Sequence, residues 1–151
     1  MAPSTATESD GDGQMARNMP ATRSRFSQAI IDEFDSGKIL ALRAGSEPHR
    51  FIGVWMVVVE RRLFVRSWSL KARSWYRTFL TDPVGAITIG DRELRVRAVR
   101  TRSNRLKDAV SAAYAAKYHT PSSKKYVRDL SGAKSRGTTM ELVPLGKAST
   151  R

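Results

Sequence analysis

Apolar positions along the chain follow two rhythms, and the change from one to the other marks the predicted elements. The first, of helical period, runs through FSQAIIDEFDSG, where Phe26, Ile30, Ile31 and Phe34 fall on one face and Gly37 supplies a stop. Strand-like segments follow. KILALRA (38–44) is short, while GVWMVVVE (53–60) is apolar on both faces and predicts a buried strand. Arg61-Arg62 turns the chain into LFVRS (63–67), which makes a hairpin. LKARSWYRTFL (70–80) predicts a helix with Leu70, Trp75, Phe79 and Leu80 toward the core, ended by Asp82-Pro83.

The second half repeats these rhythms. VGAITIG (84–90) and RELRVRAVR (92–100) predict a hairpin around Gly90-Asp91, and Leu94, Val96 and Ala98 alternate with Arg95 and Arg97 as on a sheet with one wet face. Asn104 is the expected N-cap of an amphipathic helix, RLKDAVSAAYAAKY (105–118). A loop with Pro121, a short helix at 124–130 and a last strand TTMELVP (138–144) complete the series. Successive strands joined by hairpins pair antiparallel. The expected class is α+β, mainly antiparallel: six strands in a small closed or half-open barrel with covering helices.

Residues 1–24 carry no aromatic residue and no apolar period, and predict a disordered tail. The expected organisation is one domain at 25–147, with a short tail at 148–151. A chain of 151 residues is the right size for one core. Its start has neither a basic head nor an apolar stretch, so no signal peptide is expected, and no apolar run approaches membrane-spanning length. The chain has no cysteine, which excludes disulfides and thiolate chemistry and matches a cytoplasmic location.

Charge adds a direction. The net charge is +13, and in residues 1–25 Glu8, Asp10 and Asp12 cancel Arg17, Arg23 and Arg25. The domain therefore carries the whole excess, and its field favours anionic partners. His49 and His119 stand in no metal-ligand spacing, and no nucleophile elbow, dinucleotide fingerprint or phosphate loop is present. What remains is RSWSLKARSWYR (66–77). Arg66, Ser67, Ser69, Lys71 and Arg73 cluster at an expected strand end and helix start, where guanidinium, ammonium, hydroxyl and backbone N–H donors hold a phosphate. Three explanations share this stretch: a phosphate cradle, an ordinary solvated basic face over core tryptophans, and a nucleic-acid surface extended by the basic stretch 92–107. The last lacks any recognisable nucleic-acid-binding motif.

These residues also carry a resemblance. LFVRSWSLKARSWYRTFLTDPVGAITIG resembles the split β-barrel flavin-binding superfamily, which includes pyridoxamine-phosphate-oxidase-like proteins and deazaflavin-dependent nitroreductases. Val65-Arg66-Ser67, Ser69-Leu70-Lys71-Ala72-Arg73 and Asp82-Pro83-Val84 match its strand end, helix start and step into the next strand. Trp75-Tyr76-Arg77 is similar to the Trp-Tyr step of the deazaflavin branch, and from Phe26 to Pro144 the chain resembles an uncharacterised bacterial family of that superfamily.

The resemblance implies a six-stranded split barrel, a homodimer with FMN or a deazaflavin coenzyme at the interface, and reduction of a small organic molecule. It assigns Arg66, Ser67, Ser69, Lys71 and Arg73 to the cofactor phosphate, Trp55 to the ring, and Trp75 and Tyr76 to the lining of the cofactor or substrate pocket. Tyr76, Tyr118 and His119 become candidate proton donors. No metal is implied, and neither nucleic acid nor membrane is an expected partner. Trp68 departs from the pattern, standing in a loop that is small and glycine-containing in relatives. A cofactor-free small-molecule enzyme or binder on the same fold stays open beside the flavin reading.

Overall fold

The structure is a computed structural model that describes residues 25–47, 49–68 and 74–145. Among these residues seven strands form one sheet: β1 (Leu40–Ala44), β2 (Ile52–Val54), β3 (Met56–Val59), β4 (Arg62–Val65), β5 (Val84–Ile89), β6 (Arg92–Arg100) and β7 (Met140–Pro144). Their spatial order is β2-β1-β5-β6-β7-β4-β3, and every neighbouring pair is antiparallel. The two edge strands, β2 and β3, belong to a single stretch of chain. It pairs with β1 up to Val54 and with β4 from Met56 onward, so the sheet nearly closes into a barrel at Trp55.

That seam explains the seventh strand. The sequence reads 53–60 as one strand because alternation runs unbroken through it: Val54 and Met56 face the barrel interior, and Val57 lies on the other side. A change of partner leaves no trace in that alternation.

Among the described residues five α-helices cover the barrel: α1 (Gln28–Ser36), α2 (Trp75–Thr81), α3 (Asn104–Lys117), α4 (Lys124–Leu130) and α5 (Ala133–Arg136), with a 3₁₀ turn at Pro121–Ser123. Each of the three longer-range covers is capped by serine. The Ser27, Ser74 and Ser103 hydroxyls accept from the N–H groups of Ile30, Arg77 and Leu106. The cap of α3 is thus Ser103 rather than Asn104. Helix α2 starts at Trp75, five residues later than the pattern at 70–80 predicts, and Leu70 to Arg73 lie outside the described residues.

Two apolar clusters result. The barrel interior packs Leu42, Leu63, Ile87, Val96 and Leu142 against Ile31 and Phe34 of α1 and against Tyr76 and Phe79 of α2. Outside, Val57 and Phe64 pack under Leu106, Val110 and Tyr114 of α3. Gly85 lets α2 approach: a Cβ there would lie 2.4 Å from the Arg43 carbonyl and 2.9 Å from the Phe79 ring. The β3–β4 turn is built differently, since Glu60 (φ 53°) and Arg61 (φ 62°) both take left-handed geometry without glycine.

Candidate functional site

A cleft of about 450 Å³ opens at the barrel seam. One wall is Ile39 and β2, ending at Trp55; the other is the end of β4, Arg66-Ser67-Trp68, with Ser74-Trp75 at the start of α2 and Leu130 of α4. All three tryptophans of the chain line it. Among the described residues no carboxylate does. Its size lies in the range of small-molecule sites, roughly 300–1,000 Å³.

The aromatic wall is layered. Trp55 stacks on Tyr118 with ring centres 4.1 Å apart and planes 2° from parallel. Trp68 lies 6.1 Å from Trp55 and 5.0 Å from Tyr126. Trp68 nevertheless keeps 52% of its surface exposed, and Ile39 keeps 59%. Both side chains line the cleft.

Beneath this wall polar groups are paired. Arg66 is buried, and its guanidinium donates to Thr139 Oγ1 (2.8 Å), Ser111 Oγ (2.8 Å), the Leu130 carbonyl (2.9 Å) and the Lys107 carbonyl (2.7 Å). Burial lowers its pKa to about 10, which leaves it charged at neutral pH. These bonds tie β4 to β7, α3 and α4. The next residue is held too, with Ser67 N–H donating to Thr138 Oγ1 at 2.8 Å. The Tyr118 hydroxyl accepts from Met56 N–H (3.2 Å) and has the Lys38 and Met56 carbonyls as acceptors at 2.8 and 3.0 Å. Burial pushes its pKa up to about 12.

A second hollow of about 180 Å³ adjoins the first. Ile52 and Trp75 line both, and the hollow adds Leu42, Ala44, His49, Arg50 and Thr78.

The structure brings four of the expected cofactor residues, Trp55, Arg66, Ser67 and Trp75, to one cleft. Ser69, Lys71 and Arg73 lie outside the described residues. The three expected proton donors are apart from it. Tyr76 is buried in the barrel interior, Tyr118 lies behind Trp55, and His119 is exposed past the end of α3. Sequence reasoning did not name Ile39, Ile52, Ser74, His49 or Arg50 for the site. Nothing in an apolar pattern separates an isoleucine on a cavity rim from one in a core. Among the described residues no cluster could hold a metal ion and no helix is long and apolar enough to cross a membrane.

Near-closure of one antiparallel sheet, with a cleft at the seam, defines a split β-barrel. Solved structures share this fold. The chain is similar to the "conserved hypothetical protein Rv2991" of Mycobacterium tuberculosis, with a TM-score of 0.53, 17% identity and coverage of 83% of this chain and 84% of that one. It is also similar to the "Putative Pyridoxamine 5'-phosphate oxidase" of Listeria innocua, with a TM-score of 0.52, 9% identity and coverage of 79% and 91%. Within this class, the chain belongs to the bacterial family described as "Uncharacterized protein conserved in bacteria (DUF2255)", whose model matches residues 29–142. No curated protein matches the chain.

Proposed function

We propose that the seam cleft binds FMN or a deazaflavin coenzyme and that the protein is an oxidoreductase acting on a small organic molecule. The observation that carries this reading is the tryptophan-walled cleft at the end of β4, lined by no carboxylate among the described residues. Indole faces stack on planar heteroaromatic rings, and an apolar wall excludes water from the reacting edge. When bound, the flavin or deazaflavin supplies hydride transfer, and the protein supplies position and charge.

Roles for the chain's residues follow from their contacts. Trp55 and Trp75 would flank the ring. Arg66, with four donor contacts already made to protein, acts by holding Ser67 and Trp68 in place, and Ser69, Lys71 and Arg73 are the proposed phosphate partners. Of the proton-donor candidates, Tyr118 and Tyr76 are assigned to packing, and His119, exposed past the end of α3, does not line the cleft. The exposed Ile39 and Trp68 at the cleft mouth support a homodimer in which a second copy covers them. A cysteine-free chain is suited to the cytoplasm.

The test is the visible spectrum of freshly purified protein, then titration with FMN and with a deazaflavin. Binding that weakens at least tenfold in Trp55→Ala is the expected result. A colourless protein that binds neither, in wild type and variant alike, overturns the reading. The engagement of Arg66 and the presence of Trp68 in the cleft favour one alternative, a cofactor-free enzyme or binder using the same cavity. Its signature is ligand binding or turnover in flavin-free protein, lost in Trp68→Ala.

A further inference from the structure

The hollow beside the cleft differs from it in charge. His49 and Arg50 line it, both exposed, and within the described residues neither side chain has a hydrogen bond or ion pair. Several other arginines are already engaged. Arg43 pairs with Glu93, Arg62 with Glu141 and Arg105 with Glu60, while Arg66 is held by four protein acceptors. The nearby Asp82 is also taken, accepting from Ser46 N–H and Oγ. No carboxylate lines the hollow among the described residues. His49 and Arg50 thus stand without a side-chain partner among the described residues, in a concavity whose apolar wall, Ile52 and Trp75, is shared with the main cleft.

We propose that the substrate is a planar, largely apolar molecule bearing a carboxylate, and that His49 and Arg50 receive that carboxylate. The ring system lies against Trp75 and Ile52, and the guanidinium fork matches the two carboxylate oxygens. The inference rests on the reading of the main cleft as a site for planar ligands. It adds a selection rule: among compounds of one shape, the anionic member binds best.

Equilibrium dialysis with 2-naphthoate and with neutral 2-naphthamide tests this at low ionic strength, where an exposed charge pair is least screened. Wild type is expected to hold the naphthoate about fivefold more tightly, the size of a charge-assisted contact to a partly exposed group. Arg50→Ala removes that preference and leaves naphthamide binding unchanged, whereas Arg50→Lys restores part of it. Equal affinity for both probes in wild type overturns the proposal and leaves the cleft reading intact. Failure of both probes to bind overturns the proposal, while the cleft reading is decided separately by the titration with FMN and a deazaflavin. FMN and riboflavin form a separate arm. If Arg50→Ala abolishes a preference for FMN over riboflavin, the pair serves a cofactor phosphate, and the substrate assignment is overturned.

Discussion

The two sides of the Trp55 seam use the same kinds of side chain in opposite ways. Under α3, Arg66, Lys117, Tyr114 and Tyr118 all point their polar atoms at protein partners, four of them backbone carbonyls on separate elements. On the cleft side, Trp68, His49 and Arg50 stay exposed, and all three tryptophans line the cavity. Aromatic and cationic composition alone therefore says little about binding. Whether each group already has a partner separates a scaffold from a site.

The sharpest way to break this contrast is Arg66→Met. It strands the Leu130 and Lys107 carbonyls and the Thr139 hydroxyl in a buried setting, and should cost about 3 kcal/mol of unfolding free energy by urea titration. A loss below about 1 kcal/mol would mean that Arg66 is not a clamp.

Tyr118→Phe comes next, at about 1–2 kcal/mol near neutral pH, because Met56 N–H and the Lys38 carbonyl lose their partner. The same hydroxyl sets an alkaline limit. Burial raises the pKa of Tyr118 to about 12 and raises that of Tyr114 further. Between the unfolded value near 10 and the folded values, the unfolded chain releases protons that the native protein keeps. Stability is therefore complete below about pH 10 and falls as pH rises through that window. Urea midpoints measured from pH 9 to 11.5 should decline in wild type and decline less in the Tyr118→Phe variant.

Arg61→Gly works in the other direction. With φ 62° relieved by glycine and the Glu60 side-chain pairs left in place, it should stabilise by about 0.5–1 kcal/mol. Trp68→Ala is the smallest change and the most telling. An exposed rim residue should cost no more than about 0.5 kcal/mol, yet ligand affinity should fall clearly. A large stability loss there would make Trp68 scaffold and erase the distinction between the two sides.

Much of the scaffold was legible in the sequence. The β5–β6 hairpin follows directly from Gly90 and from alternation of Val96 and Ala98 with arginines, and α4 occupies the expected 124–130. The start of α2 was not legible, because nothing in the run 70–80 marks Ser74 as the residue whose hydroxyl caps the helix. The fate of Arg66 was hidden for another reason. Its acceptors sit 41 to 73 positions away, and no local pattern distinguishes an arginine aimed at a ligand from one aimed at distant carbonyls.

The place of β7 between β6 and β4 has a consequence for how the chain is made. Arg62 and Glu141, bonded across β4 and β7, are separated by 79 positions, so the barrel cannot close while the polypeptide is still emerging from the ribosome short of residue 140. Until then β6 and β4 each present an unpaired edge, and an unpaired edge recruits other strands. Arginines exposed along β6 at 92, 95, 97 and 100 put like charge on one of those edges during that wait. The same residues that make the finished protein strongly basic would then act earlier, as a safeguard against aggregation of the half-made barrel.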